Sequence, residues 1–226
     1  MPRSIQAPRS EAAEAPRDCP LCPRLVAFRH KARTAEPDWH NAPVASFGPA
    51  DARLLIVGLA PGLRGANRTG RPFTGDYAGD LLYATLLKFG LATGTYGASP
   101  DDGLTLVDCM VTNAVRCVPP ENKPTPAEIK TCRPFLAARL AALPKLKVIL
   151  ALGRIAHEST LATLGARRSQ HAFRHGARHG LADGLVLFDS FHCSRYNTNT
   201  GRLTSAMFHA VFADIRAMLD GRQAET

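Results

Sequence analysis

The stretch Leu54-Leu55-Ile56-Val57-Gly58-Leu59-Ala60-Pro61-Gly62 decides how the chain is read. Four consecutive aliphatic residues fit a strand buried on both faces of a parallel sheet. The loop after such a strand lies at the carboxyl edge of the sheet, where open α/β folds bind ligands. A phosphate-binding P-loop needs Lys and then Ser or Thr after its last Gly, whereas Gly62 is followed by Leu63-Arg64-Gly65. A dinucleotide fingerprint needs G-x-G-x-x-G, and this loop has G-x-x-x-G with Pro61 inside it. Both patterns fail. What is left is a loop of small residues, Gly58, Ala60 and Gly62, stiffened by Pro61 and able to approach another group closely.

Working outward, Leu104–Val115 (LTLVDCMVTNAV), Lys147–Gly153 (KVILALG) and Gly184–His192 (GLVLFDSFH) read as three further buried strands. Helical spacing runs through Leu81–Gly90 and through RIAHESTLATLG after the third strand. Thr125-Pro126-Ala127-Glu128 opens another helix with a capping box, and an amphipathic helix spans about Thr204 to Leu219. Strands alternating with helices predict an α/β fold, a three-layer α/β/α sandwich around a central, mainly parallel sheet of four strands.

The chain has 226 residues, enough for one such domain. Residues 1–18, rich in Ala, Pro and charge with three Arg against three acids, are expected to be a disordered tail before a domain over 19–226. With the tail neutral, the net charge of +9 belongs to the domain and points to a polyanion, nucleic acid first. Arg167, Arg168, Arg174 and Arg178, with His171, His175 and His179 and no acid between 165 and 182, form a candidate phosphate-contacting surface. Gly176 and Gly180 argue against reading those histidines as a metal-binding helix. No apolar run is long enough to cross a membrane, and the N-terminus has no hydrophobic signal core, so the chain is expected to be intracellular.

Six cysteines are present. In an intracellular protein, close thiols point to metal or redox chemistry rather than disulfides. Cys19-Pro20-Leu21-Cys22 supplies one pair, and Cys117 and Cys132 bracket a Pro-rich loop as a second, wider pair. Spacing alone leaves zinc and an iron-sulfur cluster unseparated. Three polar residues fall at strand ends or just beyond them: Asp76 in GRPFTGD, Asn113 after the second strand, and His192 after the fourth.

GLAPG (58–62), GRPFTGD (70–76), TNAVRC (112–117) and HCSRYNTNTGRL (192–203), together with CPLCPRLV at the start, resemble family 5 uracil-DNA glycosylases of the UdgB type. The resemblance covers nearly everything after the tail. It implies the glycosylase α/β/α fold, a [4Fe-4S] cluster on Cys19, Cys22, Cys117 and Cys132, a monomer, and excision from DNA of uracil and of deaminated bases such as hypoxanthine. A non-catalytic iron-sulfur protein that senses damaged DNA is the alternative of another class.

In that reading the base pocket is lined by Gly58, Leu59, Ala60, Gly62 and Phe73, with Phe73 offering a face for the uracil ring. Asn113 reads the base edge, His192 donates to the departing uracil O2, and Asp76 stabilises the sugar or orients water. Ser194, Arg195, Tyr196 and Asn197 are expected to meet the DNA. Cys193 stands where the family has Pro, which removes a φ restraint next to His192.

Overall fold

The structure, a computed structural model, describes residues 14–221. In chain order it contains α1 (Pro23–Ala35), β1 (Leu54–Gly58), α2 (Ala66–Thr69), α3 (Tyr77–Lys88), β2 (Ala92–Thr93), β3 (Thr105–Leu106) and β4 (Cys109–Asn113). There follow α4 (Pro126–Ala141), β5 (Val148–Leu152), α5 (Arg154–Thr163), β6 (Arg178–Gly180), β7 (Val186–Ser190), α6 (Arg195–Asn199) and α7 (Ser205–Leu219).

The central sheet has the order β4-β1-β5-β7-β6, with all neighbours parallel except the last pair. Alternation along β1 explains the layers, because successive side chains of a strand point to opposite faces. Leu54 and Ile56 pack with Leu82, Tyr83 and Leu86 of α3 and Phe208, Phe212 and Ile215 of α7. Leu55 and Val57 pack with Leu136 of α4 and with Ala156 and Leu161 of α5. The strand is buried on both faces, which is why its sequence shows no polar alternation.

Two sequence expectations need correction. The sheet has five strands, not four: β6 lies inside the basic stretch and pairs antiparallel with β7, Arg178 opposite Phe188 and Gly180 opposite Val186. Its residues Arg178-His179-Gly180 are exposed or half-buried and carry no apolar run, so only the free edge of β7 makes them a strand. The expected strand 104–115 is also broken. Asp108 turns through a positive φ of 58°, leaving β3 to pair with β2 in a separate ribbon and β4 to join the sheet.

The capping box at Thr125 is present in both halves, with the Glu128 backbone N–H donating to Thr125 and the Thr125 N–H donating to Glu128. The outer edge of β4 is met by Phe47, which exchanges backbone hydrogen bonds with Val111. Residues 1–13 of the expected tail lie outside the described residues. Glu14 forms an ion pair with Arg139 of α4 (2.5 Å), and Asp18 pairs with Arg33 of α1 (2.7 Å).

One buried ion pair braces the turn that precedes α3. Arg71 and Asp102, each with a side chain 5% exposed, approach to 2.6 Å, and the Arg71 guanidinium lies over the rings of Phe47, Tyr83 and Tyr96. The hydrogen bonds from Arg71 hold the Asp102 carboxyl well below the usual carboxylate range. Removing one partner strands the other charge in an apolar setting. Asp102→Ala is therefore expected to cost about 3–5 kcal/mol in a urea unfolding titration. The depressed carboxyl contributes stability above the ordinary aspartate range that is lost as pH falls through its folded value.

Candidate active site

The parallel pairing of β1 with β4 sets Gly58 beside Asn113 at the carboxyl ends of two neighbouring strands. That pairing continues past the strands, with the Ala114 N–H donating to the Gly58 carbonyl and the Val115 N–H to Leu59, each at 2.9 Å. The Gly62 carbonyl accepts from the Asn67 N–H at 3.0 Å. The carbonyls of Gly58, Leu59 and Gly62 are thus committed within the fold. The glycines around this loop have a further role.

They supply room for side chains. A Cβ added at Gly58 would overlap Asn113 Oδ1 and lie 2.6 Å from Phe73 Cζ. A Cβ at Gly62 would lie 2.9 Å from Asp76 Oδ2, and one at Gly65 would overlap that same oxygen. Contacts that close force the neighbour to move. Gly58 therefore makes space for the amide and the ring, and Gly62 with Gly65 for the carboxylate. Gly65 was not among the residues expected from sequence; its signal was the G-x-x-G spacing from Gly62.

Asp76 is the N-cap of α3 and accepts from the Gly79 N–H at 3.4 Å. Burial pushes its carboxyl above the ordinary value, against the opposing pull of the Gly79 and Ala78 N–H groups. Phe73, 6% exposed, sits at a positive φ of 52°. Its carbonyl accepts from the Tyr96 hydroxyl at 3.3 Å, which helps hold a backbone conformation unfavourable for a bulky residue. The Phe73 and His192 rings lie near-parallel, centroids 5.8 Å apart and planes 28° from one another. Burial drives the His192 pKa down to about 4, so the ring is neutral at pH 7.

The buried Asn113 side chain leaves its Oδ1 without a hydrogen-bond partner among the described residues. An unpaired buried acceptor costs roughly 1–3 kcal/mol unless a ligand supplies the donor. It faces the space that Gly58 opens beside Phe73.

The stretch after His192 is pinned without the missing proline. The fully buried Cys193 donates its thiol to the Ala78 carbonyl at 3.3 Å, and the Asn197 amide donates to the His192 carbonyl at 2.8 Å. Ser194 caps α6 by accepting from the Asn197 N–H. Arg195 lies over the Tyr77 ring at 5.4 Å, and Tyr196 is 71% exposed. Among the four expected DNA-facing residues, Asn197 turns inward.

Elsewhere, Cys19, Cys22, Cys117 and Cys132 line one apolar hollow with Leu25 and Phe135. The Arg116 N–H donates to Cys132 Sγ at 3.3 Å, and Arg29 reaches Cys117 Sγ at 3.9 Å. Burial pushes the Cys22 thiol to about 11 and the Cys117 thiol to about 12, with the other cysteines adding to the rise. A second candidate metal group, His157, His179 and Asp189, keeps its ligand atoms within 4.8 Å of one another. Those atoms are already joined by hydrogen bonds of 2.6 and 2.8 Å to the Asp189 carboxylate.

Phe73 meets His192 and Asn113 at the carboxyl edge of an α/β/α sandwich, and Asp76 packs against the loop after β1. The model of the Uracil DNA glycosylase superfamily matches residues 45–216. Proteins described as type-5 uracil-DNA glycosylase are similar over most of their length. The Thermus thermophilus protein is 48% identical, covering 88% of this chain and 93% of its own. The Mycobacterium tuberculosis protein is 40% identical over 88% and 78%, and the Pyrobaculum aerophilum protein 39% identical over 83% and 83%. The chain belongs to the type-5 uracil-DNA glycosylases of that superfamily.

Two outcomes test the geometry. Gly58→Ala is expected to cost about 1–3 kcal/mol in thermal or urea unfolding and to shift the Asn113 side-chain amide resonances. Asp76→Asn keeps a capping side chain and removes a carboxyl whose folded pKa is raised. A raised pKa means that the native state holds the proton more tightly, so stability falls as pH rises from the ordinary aspartate value through the folded one. Asp76→Asn is thus expected to raise Tm at neutral pH relative to the parent and to lose that advantage in acid.

Proposed function

We infer that the protein is a monofunctional uracil-DNA glycosylase of DNA repair, hydrolysing the N-glycosidic bond of uracil in DNA and leaving an abasic site. The observation that carries this reading is the unpartnered, buried Asn113 Oδ1 at the mouth of the β1–β4 pair. The names of the similar proteins support it independently.

A base reaches such a pocket only when its nucleotide is flipped out of the stack. Asn113 Oδ1 then accepts from uracil N3–H while its NH2 donates to O4. Cytosine presents the reverse pattern, so an oriented amide rejects it. Hypoxanthine presents an N–H beside a carbonyl as uracil does, and the same amide can serve it. As the glycosidic bond breaks, negative charge gathers on uracil O2, and the neutral His192 ring donates a hydrogen bond there. The sugar gains oxocarbenium character, and the Asp76 carboxylate stabilises it or orients the attacking water. Phe73 offers a stacking surface, and Leu59 and Ala60 complete the wall with Gly58 and Gly62. Ser194, Arg195 and the exposed Tyr196 meet the DNA, while Asn197 keeps His192 placed from behind.

Cys19, Cys22, Cys117 and Cys132 would hold a [4Fe-4S] cluster that staples the start of the chain to its middle. The hollow supports this: four thiols, apolar walls and N–H donors aimed at sulfur, with burial opposing ionisation unless a cationic centre is present. The enzyme works as an intracellular monomer on DNA in this reading. No described helix is long and apolar enough to cross a membrane.

Incubation with a uracil-containing duplex followed by alkaline cleavage is expected to break the strand at uracil. Absence of an abasic product across a range of salt would sink the assignment. His192→Ala is expected to lower kcat about 10²–10³-fold, the usual loss for one transition-state donor. The acid limb of kcat/KM should lie above the ordinary aspartate range and vanish with Asp76→Asn. Protein purified without oxygen should contain iron and acid-labile sulfide in equal amounts; zinc in their place would refute the cluster.

A further inference from the structure

Three polar side chains that the glycosylase chemistry does not use converge from three elements: His157 of α5, His179 of β6 and Asp189 of β7. Their side chains are 2%, 11% and 0% exposed, and one ligand atom from each lies within 4.8 Å of the others. The Asp189 carboxylate stands between the two rings, with Oδ1 2.6 Å from His157 Nδ1 and Oδ2 2.8 Å from His179 Nε2. Unlike a pair of histidines one turn apart on a helix, these ligand atoms are brought together by the sheet and the helix packed on it.

The orientation of His157 carries the argument. Its Nε2 lies 2.8 Å from the His171 carbonyl. A carbonyl only accepts, so the Nε2 proton is fixed there and a neutral ring turns its Nδ1 lone pair toward Asp189. A lone pair and a carboxylate oxygen at 2.6 Å repel each other unless a positive charge lies between them, supplied by a proton or by a metal ion. Metal-ligating histidines are oriented in this way, with the second ring N–H held by a carbonyl or carboxylate. The carboxylate is placed in turn. The Arg174 N–H donates to Asp189 Oδ2 at 3.3 Å, the Gly176 N–H to the Asp189 carbonyl at 2.8 Å, and the Asp189 N–H to the Ala177 carbonyl at 3.0 Å. A cavity of about 270 Å³, lined in part by His157, Glu158 and His171, gives an ion a way in from solvent.

We propose that His157 Nδ1, His179 Nε2 and the Asp189 carboxylate form a zinc site that fastens β6 to α5 and β7. Two imidazoles and a carboxylate are a zinc donor set, and the burial of the group favours four ligands over the six that harder ions take. The fourth position falls to a water or to the His171 ring, which stands edge-on to His179 with centroids 5.6 Å apart. Zinc bonds of about 2.0 Å set neighbouring ligand atoms about 3.3 Å apart, a small opening of contacts that measure 2.6 and 2.8 Å. β6 has most to gain, being three residues long and without an apolar run to hold it down. The site owes nothing to the glycosylase reading and stands or falls apart from it.

The test is zinc binding by the full chain with its iron content measured alongside. After dialysis against a weak chelator and addition of zinc chloride, the protein is expected to retain about one zinc per chain, over and above any iron. X-ray absorption at the zinc edge is expected to show nitrogen and oxygen neighbours at about 2.0 Å and no sulfur at about 2.3 Å, which separates this site from zinc held by the four cysteines. H179Q and D189N are expected to weaken zinc binding by more than about 100-fold, since loss of an outer-shell partner alone costs about 10–100-fold. H209Q removes a histidine that lies beside Lys88 and is expected to bind zinc as the parent does. Zinc is further expected to raise the Tm of the parent and of H209Q but not of H179Q. No retained zinc, a sulfur shell, or equal affinity in H179Q and the parent would overturn the proposal. Should D189N fail to fold, the parent spectrum and H179Q, altered at a half-buried edge position, still decide it. Uracil release without zinc retention refutes the zinc site alone, and zinc retention without uracil release leaves it standing.

Discussion

The register of β1 against β4 is the constraint on which the pocket depends. Parallel pairing places Gly58 level with Asn113, and the absence of a side chain at Gly58 is what lets the Asn113 amide and the Phe73 ring share that level. A shift by one residue would put Val57 beside Asn113 and turn the amide toward the opposite face of the sheet. The five aliphatic or small residues of β1 therefore do two things at once. They fill both apolar layers, and they fix the end of the strand where a polar group can be left unpaired.

That unpaired amide oxygen and the raised Asp76 carboxyl are both costs to the folded chain. The surrounding structure offsets them. Arg71 and Asp102 brace the turn that carries Phe73, Cys193 ties the His192 segment to α3, and Asn197 holds the His192 carbonyl. Rigid strand ends and helix caps carry the polar groups, so that they are placed before a substrate arrives.

Much of this was legible in the sequence, for identifiable reasons. Unbroken aliphatic runs announced β1, β5 and β7 because strands covered on both faces need no polar alternation. Thr125 and Glu128 announced the start of α4 because a capping box is a local matter between residues three apart. β6 was hidden because its identity comes from the free edge of β7 and not from its own side chains. The break at Asp108 was hidden inside an apolar run by a single left-handed turn. The candidate site residues could be named individually from the motifs, but not what occupies the glycine positions. Contact between Gly65 and Asp76, or between Cys193 and Ala78, is a property of packing across elements and leaves no periodic signal in the chain.

The bridge between Phe47 and Val111 has a consequence for how copies of the protein meet. A sheet exposes hydrogen-bonding groups at its two borders, and a long bare border invites pairing with another chain. Here one border, β4, already has a partner at Val111, and the other, β6, is only three residues long with arginine and histidine on it. Neither margin offers an extended apolar template. Among the described residues each border is therefore either partly covered or short and charged, which disfavours growth of the sheet by strand addition.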